Sequence, residues 1–439
     1  MKGKPGLYLG FSSLSGYAIL VGMSMTLSEE LAWRGFVNQT TYKDPAELDK
    51  DPITFYWGVD PSADSMQIGN LAAAMMVRRF IDHGHKAILL VGGATGFIGD
   101  PDGKKQERGL KTLDEISKNK AAIAEQYKTI FAGKDFEIVD NYDWFKGINY
   151  LDFLRDVGKH MPMRLMLGRE FVQSRLNDDG AGISYAEFSY SLIQGYDFLH
   201  LHREKGATLQ LSGADQWGNC IAGVELIRRI DAKEAHVWTT PLIVNKATGV
   251  KFGKTEQGAI WLDPKKTSIY KFYQFWLNVD DEGVIDYMKI YTLLSKEQID
   301  EIAAQFNDNR ATRIAQKTLA YEVTKLVHGQ EAADTQVKIA QALFGGDTLD
   351  LGQAEFQSLS GEFPVGTVPK RMTPEDLFEA VVQTRLASSK SEARRFLEAG
   401  ALYINNNQIK PNESFLYDQG AQHAVVRRGK NTIAILKIT

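Results

Sequence analysis

The chain has 439 residues, 44% of them hydrophobic, enough for two or three domains with proper cores. Charged residues make up 24% and the formal net charge is −4, a balance that indicates neither a disordered chain nor a protein that coats nucleic acid. The single cysteine, Cys220, excludes an internal disulfide framework and fits a reducing compartment. No apolar run reaches the length of a membrane span.

Residues 1–24 carry Lys2 and Lys4, no acid, and an apolar stretch interrupted by Ser12, Ser13, Ser15 and Gly16. No A-x-A-like cleavage site follows, so we read them as an N-terminal extension outside the fold, with Met23 or Met25 opening the first domain. From there to residue 270 apolar runs alternate with helical patterns. FYWGVD (55–60) predicts a short strand, LAAAMMVRRFIDHG (71–84) a helix ending at Gly84, and KAILLVGG (86–93) a continuous apolar strand. Such strands between helices belong to a parallel sheet covered on both faces, a βαβ arrangement that binds ligands beyond the carboxyl ends of its strands. The stretch DSMQIGN (64–70) and the glycine-rich loop after Val91 both fall there.

Residues 271–345 read as helical. SKEQ (295–298) is a capping box, Leu319, Val323, Leu326 and Val327 mark one helical face, and Gly329 closes it. The stretch 346–370, rich in Gly, Ser and Pro, reads as a linker. Residues 371–439 read as a small α+β unit, with helices at DLFEAVVQT and SKSEARRFLEAG and strands at ALYIN, AVVRR and TIAILKI. From Lys370 onward there are eleven Lys/Arg against seven Asp/Glu, net +4, which leaves −8 on the remainder. A basic end on an acidic body hints at a polyanionic partner, although ordinary surface variation produces the same asymmetry.

GGATGFIGDPDGKKQER (92–108) spaces its glycines G-x-x-G-x-x-G and is not a dinucleotide fingerprint. It places Asp100 at a strand end, where a carboxylate can hold an ammonium group. Lys104, Lys105 and Arg108 follow, and these can close over phosphates or simply form a solvated charge run. KFGKT (251–255) sets Lys251 and Lys254 around a glycine, a spacing able to hold a polyphosphate at both ends but common on surfaces. In EFSYSLIQGYDF (187–198), Tyr190, Gln194 and Asp197 share one helical face amid bulky apolar neighbours. Buried polar groups need partners, and a ligand can supply them. His200 and His202 have no acidic or cysteine companions at metal-ligating spacing and read as structural, as does Cys220.

In their order, YWGVDPSADSMQIGN, VGGATGFIGDPDGKKQER, NYDW, EFSYSLIQGYDF, LSGADQWGN and KFGKT, with a basic C-terminal unit, resemble the bacterial-type tyrosyl-tRNA synthetases from about residue 25 to the end. The resemblance implies an α/β, Rossmann-like class I synthetase catalytic domain with a parallel sheet over 25–270. An α-helical anticodon-binding domain (271–345) and a small α+β RNA-binding domain (371–439) would follow. It implies a cytoplasmic homodimer, without membrane attachment, that uses ATP with Mg2+ and no tightly bound cofactor or resident metal. Such an enzyme joins L-tyrosine to ATP as tyrosyl-adenylate and then charges the terminal adenosine of tRNA(Tyr).

The same resemblance assigns roles by matching positions. Tyr56 and Asp197 match the pair that hydrogen-bonds the substrate phenol, and Tyr190, Gln194 and Asp100 the group that holds its ammonium. Asp60 and Gln216 match positioning groups for carboxylate and adenylate. Asp215, with Gly213 beside it, matches the ribose contact. Lys104 with Arg108, and Lys251 with Lys254, match two cationic clamps on the leaving pyrophosphate. Two positions depart from the pattern. Trp57 stands where cysteine is frequent beside the ribose, so its indole either stacks there or faces the core. The H-x-G-H signature reads Gln67-Ile68-Gly69-Asn70: Gly69 leaves room for adenine, and two neutral amides replace titratable donors. The competing readings are a non-catalytic RNA-binding relative and a tyrosine-activating enzyme that charges no tRNA. The first would scatter losses across the site, whereas these are confined to Gln67, Asn70 and Trp57.

Overall fold

A computed structural model describes residues 25–101, 111–176, 182–255, 258–344, 352–411, 415–416, 422–429 and 432–439. At its centre lies a six-stranded sheet of β1 (Gln39–Thr40), β2 (Thr54–Val59), β3 (Lys86–Val91), β4 (Phe136–Asp140), β5 (Ala207–Gly213) and β6 (His236–Thr240). Its order is β1-β6-β5-β2-β3-β4, parallel except for the short edge strand β1. Strand alternation explains the continuous apolar runs. Phe55, Trp57 and Leu89 point to one face of the sheet, and Tyr56, Ile88 and Leu90 to the other; both faces are buried. The first face is covered by the Ile68–Asp82 and Leu113–Ile130 helices, which bring in Leu71, Phe80, Ile123 and Tyr127. The second is covered by Tyr185–Lys205 and Trp217–Ile230, through Phe198, Leu199 and Ile227. The chain leaves β2 towards β3 on one side and β5 on the other, so a crevice opens beyond the carboxyl ends of these strands.

The expected elements are present with adjusted ends. The helix expected over 71–84 begins earlier, at Ile68, because Asn70 Oδ1 accepts from the Gln67 backbone N–H (3.0 Å) and so caps the first turn. It stops at Asp82, and Gly84 takes the left-handed conformation (φ +88°) that turns the chain into β3. The 185–205 helix opens on a capping box of Ser184 and Glu187 and closes on Gly206.

Five helices follow among the described residues: Ile269–Leu277, Val284–Tyr291, Lys296–Asp308, Ile314–His328 and Gln330–Phe344. The Ser295–Gln298 capping box forms, and Gly329 ends its helix at φ +90°. Their apolar faces, including Phe272, Trp276, Met288, Leu319 and Val323, join the same core as Phe55 and Leu71. The stretch read as a linker, 346–370, differs from that expectation. Gln353–Ser360 is a helix, and Val365–Val368 a strand parallel to Thr432–Ile438. Glycine and proline content masked a pattern too short to register as periodic. The last unit sets the Pro374–Gln383 and Lys390–Glu398 helices against a sheet containing Leu402–Ile404, His423–Arg428 and Thr432–Ile438. The other face of that sheet, with Val425, Ile433 and Ile435, packs on Ile339 and Leu343.

Residues before β1 hold these layers together. The Leu27–Arg34 helix carries Arg34, whose guanidinium donates to the carbonyls of Lys289 (2.6 Å) and Leu294 (2.8 Å) at the end of the Val284–Tyr291 helix. Glu30 accepts from Arg34 (2.7 Å) and Arg79 (3.3 Å) and pairs with His83 (2.8 Å). Burial alone would raise the Glu30 carboxyl. The hydrogen bonds to His83 and Arg34 and the charge of Arg79 outweigh it and hold the group at about 2, against an ordinary 4.5.

A depressed carboxyl contributes stability that is complete above its unfolded value and is lost as pH falls through the folded one. Glu30→Gln is therefore expected to lower the urea midpoint at about pH 7, with the deficit shrinking as pH drops from 4.5 towards 2. Urea titrations of both proteins between about pH 7 and pH 3.5 check this; a deficit constant over that interval would contradict it.

Candidate active site

The crevice holds a cavity of about 370 Å³. It gathers side chains far apart in the chain. Tyr56 and Asp60 come from β2 and the turn after it, and Gln67, Gly69 and Asn70 from the start of the 68–82 helix. Tyr190, Gln194 and Asp197 come from one face of the 185–205 helix, as their spacing predicts. Gly213, Asp215 and Gln216 stand at the end of β5, Asp100 after the glycine-rich loop, and Lys251 at the rim. Lys254 begins the short Lys254–Thr255 strand beside it. Lys104 and Arg108 lie outside the described residues.

The deep end of the cavity is a buried polar network. Asp197 is 2% exposed; its carboxylate accepts from Asn141 Nδ2 (3.0 Å) and Trp144 Nε1 (2.9 Å). The Asn141 amide also donates to Thr95 Oγ1 (3.0 Å), and the Thr95 hydroxyl donates to Asp60 (2.6 Å). The Tyr190 hydroxyl donates to the other Asp60 oxygen (2.6 Å). Two carboxylates are thus joined by a relay of neutral groups. Burial pushes the Asp197 carboxyl well above the usual carboxylate range, against the two donors that favour its ionised form. Burial likewise raises the hydroxyls of Tyr56 and Tyr190, which stay protonated.

Tyr56 is the exception in this network. Its hydroxyl is buried and, among the described residues, has no hydrogen-bond partner, though it is close enough to feel the Asp197 charge. An unpaired hydroxyl in such a place costs about 1–3 kcal/mol, which a ligand oxygen bonded to both groups would recover. Nearer the mouth, the Gln216 amide donates to Asp100 (2.6 Å) and accepts from Asn219 (3.0 Å), fixing which end of Gln216 faces the carboxylate.

The turns at the mouth of the cavity are built by close approach. A Cβ on Gly92 would stand 2.2 Å from Thr95 Oγ1 and 2.3 Å from Asp60 Oδ1, so only glycine lets β3 end against the network. Gly253, at φ +87°, lies against Ile68, where a Cβ would come within 2.5 Å of a side-chain carbon. Around it, the backbones of 66–68 and 260–262 are joined by Ile68 N–H to Ile260 O (3.1 Å) and Leu262 N–H to Met66 O (2.9 Å). The 251–262 segment and the QIGN turn are therefore one assembly. No Cβ contact crowds Gly69, and its outward side is open. With one lone pair of Asn70 Oδ1 engaged by the Gln67 backbone N–H, the side chain still offers its Nδ2 hydrogens.

Trp57 faces the core. It is 3% exposed, and its ring packs on Tyr127 (5.4 Å) and Phe131 (6.5 Å), while its edge contributes to the cavity wall. His200 stacks on Trp144 (4.5 Å), and His202 contacts the Ala207 carbonyl (2.8 Å). Cys220 is buried beside Ser212, its thiol pushed up to about 12 by burial. Sequence reasoning missed Thr95, Asn141, Trp144 and Asn219. The signal was the run of polar residues at the end of β4, in VDNYDW, where a purely structural turn needs neither an amide nor an indole N–H.

A family model for class I tRNA synthetases (W and Y) matches residues 48–345, and one for the tyrosine–tRNA ligase SYY-like C-terminal domain matches 355–436. The chain is 44% identical over 427 residues to the tyrosine–tRNA ligase of Geobacillus kaustophilus (strain HTA426), covering 94% of this chain and 100% of that one. It is 42% identical over 421 residues to the tyrosine–tRNA ligase of Limosilactobacillus reuteri (strain DSM 20016), with the same coverages. A C-terminally truncated mitochondrial tyrosyl-tRNA synthetase from Aspergillus nidulans is similar in structure. Its TM-score is 0.67 at 30% identity, over 74% of this chain and 95% of that one.

The relay makes a separate prediction. Asn141→Ala deprives Asp197 and Thr95 of their shared donor and should cost about 1–3 kcal/mol. Urea unfolding at about pH 7 measures it; a midpoint equal to that of the unaltered protein would show that the relay is not needed.

Proposed function

The chain belongs to the class I tRNA synthetases of the tryptophan and tyrosine group, and from that premise we propose how its cavity serves tyrosine–tRNA ligation. The enzyme activates L-tyrosine with ATP, then transfers the tyrosyl group to its tRNA. In the first step a tyrosine carboxylate oxygen attacks the α-phosphorus of ATP. The bond from that phosphorus to the bridging oxygen breaks, and pyrophosphate leaves with the electron pair. In the second step a hydroxyl of the terminal adenosine attacks the activated carbonyl and AMP departs. No covalent enzyme intermediate is needed.

The observation that carries the substrate assignment is the buried, unpartnered hydroxyl of Tyr56 beside Asp197. A phenol hydroxyl placed there donates to the carboxylate and accepts from Tyr56. Phenylalanine would leave both groups dry and unpaired, a form of discrimination for which tyrosine–tRNA ligases are the standing illustration. Tyr190, Gln194 and Asp100 receive the ammonium group. Gln216 and Asp60 orient the carboxylate and adenylate, and Asp215 with Gly213 the ribose. Adenine lies against the open side of Gly69, and Asn70 and Gln67 donate to the phosphates as neutral amides. Lys251 and Lys254, together with Lys104 and Arg108, neutralise the charge that develops on pyrophosphate. ATP enters as its Mg2+ complex. The ion would partly neutralise the phosphate charge as the substrate enters.

The enzyme works as a cytoplasmic homodimer in this reading. The region from Tyr150 to Tyr185 leaves Tyr150, Leu151, Met163, Leu165, Leu176 and Tyr185 exposed, an apolar surface suited to a second copy. Sedimentation at micromolar concentration should give twice the 49.1 kDa chain mass; a monomer would remove the dimer.

Tyrosine-dependent exchange of pyrophosphate into ATP, run beside tRNA charging, tests the whole. Exchange without charging would overturn the second step, and no exchange the first. In the same assay Tyr56→Phe is expected to narrow the preference for tyrosine over phenylalanine by about tenfold. Lys251→Ala should lower the activation rate by about tenfold or more with tyrosine affinity unchanged. An unaltered preference, or equal losses in rate and affinity, would contradict the respective assignment.

A further inference from the structure

The loop from Pro61 to Met66 carries the chain from β2 to the QIGN turn, and one helix grips it at both ends. Asn119 and Gln126, seven positions apart, lie on the same face of the Leu113–Ile130 helix. At the near end, Asn119 Nδ2 donates to the Pro61 carbonyl (2.9 Å), and the Asn119 side chain is buried. At the far end, Gln126 Oε1 accepts from the Met66 backbone N–H (2.8 Å), and Gln126 Nε2 donates to Ser65 Oγ (2.9 Å). Ser65 completes the fastening. Its hydroxyl donates to the Met66 carbonyl (2.9 Å) and accepts from the Asp263 N–H (3.1 Å), while Leu262 N–H reaches the same Met66 carbonyl (2.9 Å). Gln126 thus holds the two residues, Ser65 and Met66, that join the segment leading to Gln67 and Asn70 to the backbone at Leu262 and Asp263.

We propose that Gln126, with Asn119, is a positioning residue for the ATP step: through Ser65 and Met66 it sets the place of the QIGN amides relative to the 260–263 backbone, and it touches no substrate itself. The proposal rests on the assignment of Asn70 as a phosphate donor. Its chemical sense follows from the amides. A neutral donor without charge acts only at hydrogen-bonding distance and direction, so its catalytic value depends on placement more steeply than that of a cation. The tyrosine end of the cavity hangs on a different set of bonds, through Asn141, Trp144 and Thr95, and does not use Gln126.

The test compares the full-length enzyme with Gln126→Met, which keeps the bulk and loses both hydrogen bonds, and Gln126→Glu, which keeps the acceptor for Met66 N–H. Each is made alone and with Asn70→Ala, and tyrosine binding, pyrophosphate exchange and melting temperature are followed. Expected for Q126M is an exchange rate lower by about tenfold with tyrosine affinity within about twofold of wild type, and for Q126E recovery to within about threefold. In the Asn70→Ala background, Q126M should cost about threefold or less, because the group it positions is gone. Full exchange by Q126M while Asn70→Ala is slowed would overturn the positioning role and leave the donor assignment standing. So would a tyrosine affinity that falls as much as the rate, or an undiminished loss in the double variant. Full exchange by Asn70→Ala would remove the donor assignment and the positioning role with it.

Discussion

A carboxylate sealed inside a protein must be given donors, and most of the deep site follows from supplying them to Asp197. The 185–205 helix buries it because Phe198 and Leu199, which follow it, must meet β2 and β3. Two donors come from the chain just after β4, which places Asn141 and Trp144 at the far edge of the sheet's carboxyl end. Asn141 then has a hydrogen to spare for Thr95, and Thr95 one for Asp60. The glycine at position 92 is the steric condition for that last link. The surroundings of the Tyr56 hydroxyl are thus set by β2, β3, β4 and the helix that covers the same face as Tyr56.

The end of the cavity at the QIGN turn obeys a different constraint. There the polar groups are backbone amides and neutral side chains at a helix start, and their placement is achieved by stitching loops together. Gly253 lets the 251–262 segment lie against Ile68, and the paired backbones of 66–68 and 260–262 hold it. One end of the cavity is a prepared electrostatic environment, and the other a prepared geometry. Substituting amides for titratable donors is compatible with the second arrangement, since geometry survives a change of charge.

Much of this was legible in the sequence. Continuous apolar runs in β2 and β3 gave the two-faced parallel sheet, and the spacing of Tyr190, Gln194 and Asp197 gave their common face. Gln67, Gly69 and Asn70 carried a local signal because a turn between strand and helix has a known place in such sheets. Thr95 and Gln126 had no such signal, and the NYDW motif was visible without showing what Asn141 and Trp144 bind. Their partners are distant in sequence and are set by strand order, which periodicity does not encode. The 353–368 stretch was misread for a related reason. Its strand is completed only by pairing with Thr432–Ile438, a partner supplied by the end of the chain. Trp57 was readable both ways until Tyr127 and Phe131 were seen to enclose it.

The single hydrophobic core that runs from Phe55 and Leu71 through Trp276 to Val323 has a consequence beyond architecture. The helices of 269–344 draw on the same reservoir of buried apolar surface that covers the sheet. Loosening them is never a local event, because the cavities it opens are shared with the wall behind Trp57. The sheet and the helices of 269–344 therefore share one packed interior, and a void opened on one side strips contacts from the other.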